Sequence, residues 1–153
     1  MQLFVDLDGT LCDFDAGYEA VFGVRPCKKA DNVDWKAVRG VKDFYLNLPP
    51  MPDLPILWDY IGRHKPIVLT GVPSSVPEAP ANKTAWVRKH LGRYVEVRCC
   101  LSKWKWKHCR PGDVLIDDWE KHRALWLSAG GRWITHVSAE QTIDELGKLG
   151  IGL

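Results

Sequence analysis

The segment FVDLDGT, residues 4–10, ends an apolar run on two carboxylates, Asp6 and Asp8, one residue apart. Each makes ionisation of the other more costly, and burial at a strand end adds desolvation, so the pair calls for a positive partner. Two further apolar runs end in polar groups: PIVLT in Thr70, and DVLI in the Asp117-Asp118 pair. If these strands are neighbours, three or four carboxylates and a hydroxyl meet at one rim. An all-oxygen cluster of that kind selects a hard cation such as Mg2+, which keeps open positions for an anion. The chemistry that follows is phosphoryl transfer. Asp6 would be the nucleophile, and Asp8 would protonate the leaving oxygen and then activate water. Thr70 would hydrogen-bond a phosphoryl oxygen, and a lysine would neutralise the charge that develops. Gly9 would let the chain turn without placing a side chain over the site.

The segment SKWKWKHC supplies three candidate lysines, Lys103, Lys105 and Lys107. In an extended segment they share one face, opposite Trp104 and Trp106. Lysines beside indoles can also neutralise nucleic-acid phosphates while the rings stack on bases. The preferred reading is a loop that delivers one catalytic lysine with tryptophans packed behind it. A phosphatase acting on nucleic-acid ends would use both features, so nucleic acid is a possible but not a favoured partner.

The elements that must position these groups alternate between strand and helix. Gln2–Asp6 reads as a first strand and Asp13–Phe22 as a helix with Phe14 and Tyr18 on one face. Residues 27–55 mix charges with aromatics and run into NLPPMPDLP, whose prolines exclude regular structure. Ile56–Arg63 reads as a short helix and Pro66–Thr70 as a buried strand. GVPSSVPEAPAN is a loop before a helix from about Lys83 to Leu91, and Tyr94–Arg98 is a short strand. Asp113–Ile116 is another buried strand. The helix after it carries Trp126 and is stopped by Gly130-Gly131, and one of Asp117 and Asp118 can cap its start. Arg132–Val137 is the last strand, and Ser138 with Gln141 forms a capping box for a final helix. This alternation predicts an α/β fold with a mainly parallel sheet covered on both faces, and in such sheets ligands sit beyond the carboxyl ends of the strands.

Length and composition narrow the class. A chain of 153 residues fits one domain, and 46% apolar with 26% charged residues is an ordinary globular balance. No stretch approaches the ~18 apolar residues of a membrane span. A net charge of +2 does not by itself imply a nucleic-acid surface. Five scattered cysteines without CxxC spacing argue against a disulfide framework or a zinc site and fit a reducing, cytoplasmic setting. The histidines, His90, His108, His122 and His136 among them, have no ligand spacing.

DLDGT, a strand ending in LT, a lysine, and a strand ending in LIDD together resemble the four-part signature of the haloacid dehalogenase (HAD) superfamily of aspartate-nucleophile phosphatases, from Phe4 to about His136. Within that superfamily, DLDGTLCDFDAGY, DFYLNLPPMP, LTGVP, NKTAWVRKHLG and PGDVLIDDWEKHRALWLSAGGRWITH are similar to the 5'(3')-deoxyribonucleotidase group, the cytosolic type C deoxy 5' nucleotidases. The resemblance implies a Rossmann-like three-layer α/β sandwich spanning residues 1–153, with a small cap inserted at about 15–58. It implies a Mg2+-dependent phosphatase acting on small phosphate esters, most specifically nucleotides, through an aspartyl-phosphate on Asp6.

By the same resemblance, Phe14, Phe44 and Tyr45 match aromatics around base and sugar, and Lys83 matches a lysine near the phosphate. The metal would be held by the Asp6 side chain, the Asp8 carbonyl and a member of the Asp117-Asp118 pair, Asp117 being preferred. Gly71 takes the position beside the phosphate where such relatives often carry serine, so one hydroxyl contact is expected to be missing. Relatives with a similar PGD segment place the lysine about eight residues before its aspartate, which favours Lys105 over Lys107. A nucleotide-binding module without turnover is the competing class, and the complete set of motifs speaks against it.

Overall fold

Five short runs rich in β-branched and apolar residues form the strands β1 (Leu3–Val5), β2 (Ile67–Gly71), β3 (Val97–Cys100), β4 (Val114–Asp117) and β5 (Arg132–Thr135) in a computed structural model that describes residues 1–26 and 32–152. Cys27 lies outside the described residues. All pairings are parallel, in the order β3-β2-β1-β4-β5. A parallel sheet must be covered on both faces, and the alternation of side chains shows how this is met. Leu3, Val5, Val68, Val114 and Ile116 face the larger core. Phe4, Ile67, Leu69 and Leu115 face a smaller one with Trp126.

The helices α3 (Leu54–Ile61), α4 (Ala79–His90) and α6 (Ala139–Lys148) add Leu57, Ile61, Trp86, Val87 and Leu146 to the larger core. Helix α5 (Arg123–Ser128) closes the other face, where the Trp126 ring meets Phe4 edge-on at 5.5 Å. The result is a Rossmann-like three-layer arrangement. From the central β1 the chain steps outward to β2 and β3, then crosses back to β4 and β5. Strand order therefore reverses between β1 and β4, and the carboxyl ends of these two strands flank a crevice.

Helices α1 (Phe14–Phe22) and α2 (Trp35–Arg39) lie between β1 and α3. The Asp13 and Asp34 carboxylates cap them, each accepting an N–H from three residues on at 3.0 Å. The excursion is closed where it began, since Met51 N–H donates to Leu11 O and Asp13 N–H to Pro49 O. Helix α3 then leads into β2 as the crossover helix between β1 and β2. Phe14, Tyr18, Val38, Phe44 and Leu48 belong to the same core as the sheet, and the Trp86 indole donates to Leu48 O at 2.8 Å. The inserted residues are thus seated on the sheet layer.

Several local expectations differ from the structure; α3 begins at Leu54, inside the proline run expected to exclude regular structure, because Pro55 is tolerated in a helix's first turn. Helix α4 starts at Ala79, because Pro80 suits a first turn whose N–H would be unpaired anyway, and this puts Lys83 in the second turn. Strand β3 runs over Val97–Cys100, starting three residues later than the periodicity predicts, while Tyr94 stands 91% exposed in the preceding turn. SKWKWKH, expected to be irregular, forms a 3-10 helix over Ser102–His108. Among the described residues no helix is long and apolar enough to cross a membrane.

Candidate active site

Strands β1 and β4 pair in register, with Val5 opposite Ile116, so the next residues, Asp6 and Asp117, emerge side by side at the crevice. The Asp6 N–H donates to Ile116 O at 2.8 Å, which fixes that relationship through the backbone. Both carboxylates are buried, and Lys105 joins them: its Nζ lies 2.8 Å from Asp6 Oδ1 and 2.8 Å from Asp117 Oδ2. Burial disfavours the Lys105 cation, but the Asp6 and Asp117 charges more than offset this and hold its pKa above the ordinary lysine value. Burial, and then repulsion from Asp6, push the Asp117 carboxyl up to about 6.

Asp117 Oδ1 accepts the Trp119 N–H at 3.0 Å, and no side chain caps α5. Carboxylate oxygens of Asp6, Asp117 and Asp118 lie within 4.8 Å of one another. Gly9, at φ +83°, is what admits Asp118, since a Cβ at position 9 would overlap the Asp118 carboxylate.

Asp8 points to a different partner. Its Oδ2 accepts from Lys83 Nζ at 2.7 Å, and its Oδ1 accepts the Cys12 thiol at 3.1 Å. Lys83 is 1% exposed and also donates to Thr70 Oγ1 at 3.1 Å and Gly71 O at 2.6 Å, with the Tyr45 ring 4.6 Å from its ammonium. Burial raises the Tyr45 phenol above its ordinary pKa. The two motif aspartates thus have separate lysines, Lys105 for Asp6 and Lys83 for Asp8.

Period three in the 3-10 helix, rather than period two, decides which lysine enters. Positions 102, 105 and 108 share one face, so Ser102 and Lys105 turn inward together. Lys103 is exposed at the cleft wall. Lys107 lies over the Trp104 ring at 4.4 Å and does not line the cleft. The expectation of three lysines on one face opposite two indoles is therefore corrected, because the segment is helical.

The cleft has a volume of about 620 Å³ and is floored by Asp6, Asp8, Lys105 and Asp117. On the side of the inserted helices, Phe14, Val33, Trp35 and Tyr45 wall it. Phe44 does not reach it: the ring is buried against Phe14, Tyr18 and Phe22, where it supports the wall from behind. On the opposite side stand Trp106, Trp119, Lys121 and His122. Trp35, Ser102 and Trp119 are cleft residues that motif reading missed. Trp119 directly follows the acidic pair and Ser102 precedes Lys105 by one 3-10 turn, so a correct period at 102–108 would have exposed the second.

Carboxylate oxygens of Asp6, Asp117 and Asp118 gather beside the Lys105 ammonium, and this all-carboxylate donor set suits a hard divalent cation. The Asp8 side chain, turned to Lys83 and Cys12, is not part of that trio.

No protein-family model and no curated protein matches the chain. Its structure is similar to that of a HAD family hydrolase from Deinococcus radiodurans R1 with bound phosphate and sodium, at a TM-score of 0.57 and 12% identity over 99% of this chain and 96% of that one. A hydrolase from Streptococcus pneumoniae TIGR4 gives 0.53 and 14% over 98% of each chain. An L-2-haloacid dehalogenase from Xanthobacter autotrophicus, with chloropropionic acid covalently bound, gives 0.53 and 14% over 99% of this chain and 84% of that one. The chain has the Rossmann-like fold of these HAD structures.

Proposed function

We propose that the chain is a Mg2+-dependent phosphomonoesterase of the HAD type, acting on small phosphate esters, most specifically 5'- or 3'-(deoxy)nucleoside monophosphates. The observation that carries this reading is the division of labour between Asp6 and Asp8. Asp6 sits in the acidic trio with Lys105, and Asp8 is held outside it by Lys83 and Cys12.

Asp6 attacks phosphorus, a P–O bond forms to its carboxylate, and the bond to the ester oxygen breaks. Asp8, having taken a proton from solvent before the ester reacts, gives that leaving oxygen its proton. Asp8, now ionised, takes a proton from water as the water oxygen attacks phosphorus, which releases phosphate and restores Asp6. Lys105 orients Asp6, and Thr70 holds Lys83 in place. Asp6, Asp117 and Asp118, with the Asp8 carbonyl, would hold the Mg2+, which supplies charge neutralisation so that an anionic nucleophile can approach an anionic ester. Phe14, Trp35 and Tyr45 offer an apolar wall for the nucleoside.

Displacement of a halide at carbon would also use an aspartate nucleophile. A halide leaves without a proton, however, and displacement at carbon brings no phosphoryl charge for a divalent cation to neutralise, so Asp8 and the carboxylate trio favour the phosphate ester. The free thiols Cys12, Cys99, Cys100 and Cys109 fit a reducing compartment such as the cytoplasm. Phosphate release from a panel of phosphate esters with Mg2+ tests the reading. Full activity in an Asp6→Asn variant would sink the mechanism.

One observation favours a second reading, a phosphatase of polynucleotide ends. Trp106, 40% exposed, lines the same cleft as Trp119, Lys103 and Lys121, and indoles beside ammonium groups are what a polynucleotide end would use.

A further inference from the structure

Gly71 and Ser102 compete for one space. Gly71 ends β2, and Ser102 opens the 3-10 helix that delivers Lys105. A Cβ on Gly71 would overlap the Ser102 hydroxyl and lie 3.1 Å from the Ser102 Cβ. Gly71 is not among the residues with positive φ, so its backbone makes no demand for glycine. The demand comes from the hydroxyl across from it. Both residues line the cleft together with Asp6 and Lys105. Thr70, by contrast, is fully buried, accepts from Lys83, and does not line the cleft.

We propose that Ser102 donates its hydroxyl to an oxygen of the substrate's phosphoryl group, from a space that glycine at position 71 leaves open. The inference rests on the phosphate-ester reading above and adds a substrate-contacting residue to it. The Ser102 hydroxyl reaches the cleft from the 3-10 helix, in the space that a side chain at position 71 would fill from β2. Because Ser102 and Lys105 share a face one 3-10 turn apart, the hydroxyl and the ammonium are delivered as a unit. Gly71 acts through Ser102 and is a positioning residue.

The probe is inorganic phosphate, with its affinity measured by calorimetry in the presence of Mg2+ and as competition against an aryl phosphate. Ser102→Ala should weaken phosphate binding roughly tenfold, the loss of one hydrogen bond to a charged group, with an unchanged thermal midpoint. Ser102→Thr should bind within a few-fold of wild type, whereas its isostere Ser102→Val should not. Combining Gly71→Ser with Ser102→Gly returns the hydroxyl from the β2 side and should recover binding relative to Ser102→Gly alone. Wild-type phosphate affinity in Ser102→Ala, or equal losses in the Thr and Val variants, would overturn the role of Ser102 and leave the phosphatase reading standing. A wild-type protein that neither binds phosphate nor hydrolyses any ester would overturn both.

Discussion

Lys83 Nζ lies 2.7 Å from Asp8 Oδ2, at the inner side of α4, with the lysine 1% exposed. An ammonium so placed is not a solvated helix lysine, because its three donors are spent on Asp8, Thr70 and the Gly71 carbonyl. Lys83→Met should therefore cost ~1–3 kcal/mol of stability, less than for a fully buried pair because the Asp8 side chain left behind is 18% exposed at the cleft. It should also release Asp8 and lower kcat. Chemical denaturation and steady-state kinetics measure the two effects, and an unchanged midpoint would show that the pair is not coupled to folding.

Different partners for Asp6 and Asp8 predict different kinetic defects. Asp6→Asn should abolish turnover of all substrates. Asp8→Asn should slow esters with poor leaving groups by ~10²–10⁴, since it removes general acid catalysis. With a nitrophenyl phosphate, whose leaving group needs no proton, the same variant should show a burst and accumulate a phosphorylated protein detectable by mass spectrometry. A steady-state trace without a burst, and without added mass, would argue against Asp8 as the base of the second step.

Gly9 connects backbone geometry to metal affinity. Gly9→Ala must adopt φ +83° with a Cβ on the Asp118 carboxylate, so the acidic trio should open. We expect chelation to stop wild-type turnover, Mg2+ to restore it, and the variant to need at least about tenfold more Mg2+, in line with the loss of one ligand or its support. Equal Mg2+ requirements in the two proteins would place Asp118 outside the metal set.

His136 supplies a pH dependence of stability. It is buried, its Nδ1 lies 2.7 Å from Thr142 Oγ1, and burial lowers its pKa below the ordinary 6.5 despite opposing pulls from Asp53 and Asp6. The unfolded chain therefore takes up a proton below pH 6.5 that the folded chain refuses. Its contribution is complete above that value and declines as pH falls, by at most ~1.4 kcal/mol per pH unit for one proton. His136→Gln should flatten the decline between pH 6.5 and 5 in urea unfolding, and an unaltered slope would assign the pH dependence to other groups.

The indole and lysine rim discriminates the two substrate readings. If polynucleotide ends are the substrate, 5'-phosphorylated oligonucleotides should outcompete mononucleotides. Trp106→Ala and Lys121→Ala should then weaken only the oligonucleotide, with a steep dependence on salt. If mononucleotides are the substrate, Trp35→Ala should raise KM and the rim variants should be near neutral.

Much of the floor was legible without coordinates. Asp6 and the Asp117-Asp118 pair can be read from apolar runs with polar ends, because a parallel sheet buries its strands and frees only their carboxyl ends, whereas Thr70, read the same way, is buried behind the cleft against Lys83. The capping pair Ser138 and Gln141 was legible for the same local reason, and Ser138 Oγ accepts the Gln141 N–H at 3.2 Å. The segment 102–108 was not legible, because alternating lysine and tryptophan fits an extended strand while the chain winds with period three.

The sequence by itself determined the carboxylates, their order along the chain and the strands that carry them, since residue type and hydrophobic period are local properties. Only the tertiary structure decided their partners: Lys105 for Asp6, Lys83 for Asp8, Trp104 for Lys107, and the packed core for Phe44. Those choices depend on the pairing of β1 with β4, the start of α4 at Ala79 and the winding of residues 102–108. Each arises from contacts between segments distant in the chain, or from a turn type that composition does not specify. The same holds for Gly71, whose missing side chain acquires a meaning only when Ser102 is seen in its place.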